Sequence, residues 1–378
     1  WNPGLPSTIH NVIIPTEGVT NNPVLTQAVS VKGITVESGR SLSLDGNNLS
    51  LTGAMTLDQG STLIFNGDET ISFGSITNNG LVKYVGTSDV TLPSNIASYT
   101  NLEFDESGSL DPTYTLPDVN IIVSGTLTIT DGTLVADDDK DLTVGGDFTI
   151  ASESSFTKST TGKLVLDGDL TLTDSSGSVN LGIVEIGADG DSTVSLGTAV
   201  TVDELTVIES DTLNLSSYNL TVTDTGDNGL TVNGTLNATD SSLVTLKDNL
   251  VIGSNGIYTK SSLGKLVLDG NLSLIDNTDG QNLGILEIPE TRTITVTNNM
   301  VTESLTVNGI LNAADSSTIK VKGDFTIASS GTYTKPSSGK LVLDGDITLT
   351  DSSTIQNFGV VEIGADGDST VSLGTAVT

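Results

Sequence analysis

Apolar and polar residues alternate along most of this chain in short runs: KLVLDG from Lys163, LTLTD from Leu170, LTVTD from Leu220 and ITVTN from Ile294. A period of two marks a strand with one face buried and the other in water. Between the runs stand Gly, Asn, Asp and Ser, which accept the left-handed backbone that sharp corners need. Windows of Ala, Leu, Glu and Lys at helical spacing are almost absent. The pattern therefore predicts an all-β chain with essentially no α-helix.

The runs are also copied. The stretch Gly146 to Thr201 returns nearly letter for letter as Gly323 to Thr378, without a gap. A weaker third copy opens at Gly264 with GKLVLDGNLSLIDNTDGQNLGILEI. In each copy the Lys of GKLVLDG stands at the same distance before the first hydrophobic residue of the V/L-E-I run: Lys163 to Val184, Lys265 to Leu286, Lys340 to Val361. Internal repetition at this scale is the mark of solenoids and arrays. Finer division gives segments of roughly 18 to 23 residues, five between Lys163 and Gly264 and four between Lys265 and Gly339, each with two or three alternating runs.

Such a segment is one coil of a parallel β-solenoid, with Leu, Val and Ile stacking inward on their counterparts one rung away and Thr and Ser facing water. The expectation is a single right-handed parallel β-solenoid (β-helix) of roughly 18 to 19 coils of about 20 residues, about 90 Å long at about 4.8 Å per coil. Leu164 and Leu166 should face inward, and Lys163 and Val165 should lie on the other face.

Two segments are expected. Residues 1–25 (WNPGLPSTIHNVIIPTEGVTNNPVL) hold four of the nine prolines, the only Trp and the only His, and read as an N-terminal cap or assembly segment. Residues 26–378 read as one continuous solenoid, with 146–201 repeated at 323–378.

Composition narrows the partners. With 47 acidic and 14 basic residues the net charge is −33, so a nucleic acid would be repelled. No apolar run reaches membrane-spanning length, and membrane insertion is not expected. Cys is absent, and acidity with Thr/Ser/Asn-rich faces favours the outside of a cell. The chain begins at Trp1 rather than Met, compatible with a removed leader.

The order Trp1, LPS, NVIIP, NPVL and ITVESGRSLSLDGNNLSLTG resembles the opening of secreted, repeat-rich bacterial β-solenoid surface proteins of the adhesin or filament type. YTNLEFDESGSL, VSGTLTITDGTL and LTVGGDFTIAS are similar to their later modules. The resemblance covers nearly the whole chain, and it implies a secreted or cell-surface solenoid serving as stalk, adhesin or filament.

Candidate chemistry is sparse. Asp137, Asp138 and Asp139 in VADDDKD, and Asp189, Asp191, Asp366 and Asp368 in the two GADGD loops, are candidate Ca²⁺ ligands, since a hard cation takes six to eight oxygens at flexible geometry. The plainer reading is solvated Asp-Gly turns. Thr-x-Thr runs raise ice binding, which the drifting coil lengths disfavour; Thr is in any case favoured on exposed strand faces. A polysaccharide-acting enzyme is the remote alternative that a β-helix invites. Arg40 and Arg292 lack an acidic cluster in sequence and His10 lacks a triad signal, so no catalytic residue is assigned and no enzyme is expected. Sequons occur at Asn48, Asn214, Asn219, Asn233, Asn237 and Asn271. Asn180, Asn282 and Asn357, each two before a Gly, read as one turn used three times, the amide bonding local backbone.

The functional expectation is a structural extracellular protein, a subunit of a cell-surface filament or fibre whose partner is itself, head to tail. The alternative is a stalk or ligand-binding adhesin that meets surface glycans. Thr378 matches Thr201, after which the earlier copy runs on into Val202, so the pattern breaks off in mid-coil. Either the chain continues or residues 1–25 of the next subunit cover that end.

Overall fold

The structure is a computed structural model that describes residues 6–18, 20–106, 108, 110–136, 139–158, 161–177, 179–188, 190–223, 229–238, 242–260, 263–353, 356–364, 367 and 369–375. Every regular element among them is a strand, and the pairings are parallel. Paired residues lie from 17 positions apart, as Thr293 with Ile310, to 25 apart, as Leu102 with Leu127. A parallel pair needs a crossover between its strands, and here the crossover is the rest of one coil. The chain is a β-solenoid of about 16 turns at about 21-residue spacing. That is fewer turns than the 18 to 19 expected, and the spacing is slightly longer than the expected 20 residues.

Residues 1–183 form one compact unit. Its longest sheet runs through Ser41–Ser43, Thr62–Phe65, Leu81–Tyr84, Asn101–Phe104, Leu127–Ile129, Phe148–Ile150 and Leu170–Asp174. Register places Leu42, Leu63, Val82, Leu102, Leu127, Phe148 and Leu172 in one inward column. All are buried. Each such side chain contributes about 1.5–3 kcal/mol on leaving water. Phe65, Tyr84 and Phe104 stack in a neighbouring column, with ring centroids 5.0 and 5.6 Å apart. Residues 11–14, in the segment expected to cap the solenoid, are themselves a rung: Asn11–Ile14 pairs with Gly33–Val36 and buries Val12 and Ile14. Trp1–Leu5 lie outside the described residues.

Residues 184–378 form the second unit. Nine strands, from Val200–Val202 to Val371–Leu373, make its longest sheet. Val200, Leu220, Val244, Leu266, Leu286, Leu305, Phe325 and Leu349 form its inward column, all buried.

The inside-outside phase of KLVLDG is as expected for Leu164 and Leu166, both 0% exposed. Val165 departs from expectation: although it alternates with the two leucines, it is also buried, as is its counterpart Val342. For Val342 the reason is visible. It sits in register with Lys320, whose Nζ reaches Asp344 at 2.7 Å, two residues further along the same face, so the lysine stem lies across the valine.

Coil length varies while the ladders stay in register because the corners are tied from rung to rung. An Asn or Asp just before a strand accepts a hydrogen bond from the N–H at the equivalent corner of the next coil. Thr70 N donates to Asn48 Oδ1 at 2.7 Å, Thr113 N to Asp89 at 2.8 Å, Thr171 N to Asp147 at 2.7 Å, Leu243 N to Asn219 at 3.0 Å and Thr348 N to Asp324 at 2.9 Å. A corner N–H that lacks a ladder partner is satisfied in this way, which matters because an orphaned backbone donor is costly. Part of the acidity is thus structural.

Candidate functional site

The solenoid is interrupted three times, at the same phase of the repeat. At that phase the sequence reads DSSGSVNLG at 174–182, DNTDGQNLG at 276–284 and DSSTIQNFG at 351–359, and after the strands that end at Asp174, Asp276 and Asp351 the described residues of these stretches form no regular strand. Each follows the last strand of a sheet, respectively Ser155–Lys158, Ile257–Lys260 and Thr332–Thr334.

The first residue anchors the loop. Asp174, Asp276 and Asp351 are buried, and each accepts both the N–H and the hydroxyl of the residue two on: Ser176 at 3.0 and 2.5 Å, Thr278 at 2.9 and 2.6 Å, Ser353 at 2.9 and 2.6 Å. Asp276 also takes Gln281 N at 2.7 Å. A buried carboxylate is tolerated when its lone pairs are used like this.

The last three residues close the loop. Asn180, Asn282 and Asn357 each accept from the N–H of the Gly two on, at 3.0, 3.0 and 2.9 Å, and the glycines turn left-handed at φ 73°, 77° and 72°. This is the thrice-used turn expected from the sequence. The residue between, Leu181, Leu283 or Phe358, is buried in the interior.

The second and third loops carry a device that sequence reading does not suggest. Gln281 Oε1 accepts from Tyr258 N at 2.7 Å while its Nε2 donates to Gly256 O. Gln356 repeats this, taking Tyr333 N at 3.0 Å and donating to Gly331 O at 3.4 Å. The side-chain amide stands in for the peptide of the missing rung, closing a sheet edge that would otherwise present free backbone groups. The first loop has Val179 in this place.

Near the third loop lies a groove of about 470 Å³, with Ser330, Thr332, Lys335, Gln356 and Asn357 among its lining residues. Near the second is one of about 420 Å³ faced by Asp276, Asp279, Asn298 and Ser316. Both are lined largely by hydroxyl and amide groups.

Of the candidate Ca²⁺ ligands, Asp139 and Asp191 are among the described residues. Asp139 is exposed and bonded to the Lys140 ammonium at 2.7 Å, a contact that lowers its pKa, and Asp191 is exposed. Asp137, Asp138, Asp189, Asp366 and Asp368 lie outside the described residues. Among the described residues no three His, Asp or Glu side chains are grouped so as to hold a metal. His10 is exposed in a turn where its Nδ1 accepts from Ser7 N at 3.1 Å. Arg40 donates to Thr16 O, and Arg292 pairs with Asp269 at 2.8 Å. Among the described residues no helix is long and apolar enough to cross a membrane.

The two extremes of the ladder offer apolar surface. Beside the first rung is a cavity of about 230 Å³ lined by Pro6, Val12, Ile14, Pro23, Leu25 and Leu42 among others. On the coil 361–373, Ile363 is 57% exposed and Leu373 59%, whereas Ile186 and Leu196, their counterparts one repeat earlier, are 1% and 3% exposed.

The fold and these geometries define a repeat-built β-solenoid. Comparison with known proteins adds no family to that class: no family model, curated protein or solved structure matches the chain.

Proposed function

We propose that the chain is a structural element of an extracellular surface, a filament subunit whose coils stack head to tail on those of a second copy. The observation that supports this reading most is the stacking of parallel rungs in register, from Asn11–Ile14 against Gly33–Val36 to Ile347–Leu349 against Val371–Leu373, a geometry that any further rung of matching pattern extends. A parallel strand with free N–H and C=O groups and apolar neighbours takes another rung. In a second copy, the strand Asn11–Ile14 and the apolar cavity beside it offer one. Residues continuing the same protein would serve the same purpose. A head-to-tail contact repeats without closing, and so builds a fibre. Acidity and hydroxyl-rich outer faces support a place outside the cell.

The test uses residues 1–378 and a form lacking the first 25, followed by light scattering and electron microscopy. Filaments from the full chain alone are the expected result. Filaments from both would remove the role of the N-terminal segment, and monomers at every concentration would overturn assembly.

A second reading, the stalk of an adhesin, draws on the polar grooves by the second and third loops, which suit the hydroxyls of a surface glycan. Binding of glycans in solution, lost on filling the groove with Ser330→Trp, would favour it.

A further inference from the structure

We propose that Asn48, Asn219 and Asn271 are acceptor sites for N-linked sugar, and that the solenoid corner both presents them and tolerates the modification. Each begins a sequon, completed by Ser50, Thr221 and Ser273. Each occupies the corner that ties one coil to the next. Their side-chain oxygens accept from Thr70 N at 2.7 Å, Leu243 N at 3.0 Å and Thr293 N at 2.9 Å.

A backbone N–H can only donate, so the atom facing it is Oδ1, and the amide nitrogen is thereby turned away from the ladder. All three asparagines are exposed. Residues i and i+2 of a strand point to the same face, so the sequon hydroxyl stands on the outer side with its asparagine. In the transfer, Nδ2 attacks the anomeric carbon of a sugar activated by a nucleoside diphosphate or a lipid pyrophosphate. The C1–N bond forms as the bond from C1 to phosphate oxygen breaks, one amide proton goes to the base of the transferase, and the diphosphate leaves. The product keeps one N–H on nitrogen and both lone pairs on Oδ1. The bond that holds the corner is retained.

The sequons at Asn214 and Asn237 differ. These two are in register on adjacent rungs, half-buried, and Asn237 Nδ2 donates to Asn214 Oδ1 at 3.0 Å. Sugar on Asn237 would have to be seated on a half-buried nitrogen already engaged with the neighbouring rung.

The inference draws on the extracellular reading for where sugar would be added, yet its test does not depend on that reading. The purified folded chain is incubated with a soluble N-glycosyltransferase and UDP-glucose, and occupancy is mapped by mass spectrometry. Peptides carrying each sequon serve as controls. The expected result is transfer to all the peptides but, in the folded chain, several-fold higher occupancy at Asn48, Asn219 and Asn271 than at Asn237, with an unchanged melting temperature. Ser50→Ala should abolish transfer at Asn48 alone. Modified peptides with an untouched folded chain would overturn the proposal, as would equal occupancy at Asn237 or a destabilised product. None of these outcomes bears on filament formation, which is read separately by microscopy.

Discussion

Gln281 bridges the backbone of Tyr258 and Gly256 across an interrupted sheet, its Oε1 accepting from Tyr258 N at 2.7 Å and its Nε2 donating to Gly256 O. The contact spans one coil of sequence. If this amide replaces a rung, Gln281→Ala leaves a backbone N–H without its acceptor and should cost about 1–3 kcal/mol. Hydrogen exchange should locate the loss: faster exchange at the Tyr258 amide with neighbouring coils unchanged. Gln281→Glu should restore the acceptor while losing the donor, and fall between.

The interior phase makes a sharper demand. Leu166→Asp puts an unpaired carboxylate into a fully buried column and should cost about 3–5 kcal/mol. Lys163→Asp, on the exposed side, should cost little. Val165→Thr should fall between them, since Val165 lies on the outer face but is covered. Chemical denaturation of the three variants orders them, and a lysine change more damaging than the leucine change would reverse the assigned faces.

Alkaline pH should act through two opposed groups. Burial pushes the Lys260 ammonium down to about 8 from its ordinary 10.5. Between those values the unfolded chain keeps a proton that the folded chain has released, so stability contributed by this residue rises with pH across that window. Burial acts the other way on tyrosine, raising Tyr84, Tyr99, Tyr114 and Tyr258, and Tyr333 to about 12. Above pH 10 the unfolded chain loses protons that the folded chain keeps, and stability falls. Melting curves of Lys260→Met should therefore gain most over the parent at neutral pH and converge with it near pH 10. Parallel curves would show that Lys260 is not desolvated.

Charge along the coils should be felt as a whole. At −33, like-charge repulsion is relieved by screening, so the melting temperature should rise with salt and further with millimolar Ca²⁺. Identical melting in low salt and in Ca²⁺ would count against both screening and cation sites at Asp139 or Asp191.

Much of the fold was legible because its two determinants are local. Alternation names the strands, and the repeated block fixes their spacing. The repeated Lys of GKLVLDG marks an outer face, and there it meets a carboxylate on the next coil: Lys265 pairs with Glu287, and Lys340 with Glu362. The turn at Asn180, Asn282 and Asn357 was legible since its partners lie two residues away. What escaped was contact between coils. An Asn at a corner looks like any turn residue, and its acceptor role depends on an N–H one coil ahead, at an interval that changes from coil to coil. Gln281 and Gln356 gave no signal for the same reason, and Val179 in the equivalent place hides the pattern further. Burial of Val342 was missed because alternation counts two faces and ignores a long side chain, here Lys320, lying over the outer one.

The measurement that bears most directly on the account is electron microscopy with fibre diffraction on purified residues 1–378. The account expects long filaments, lost on deleting residues 1–25, with a reflection at about 4.8 Å along the fibre axis from the stacked rungs. A chain that stays monomeric at every concentration, or fibres whose strands run along the axis and leave that reflection on the equator, would contradict it.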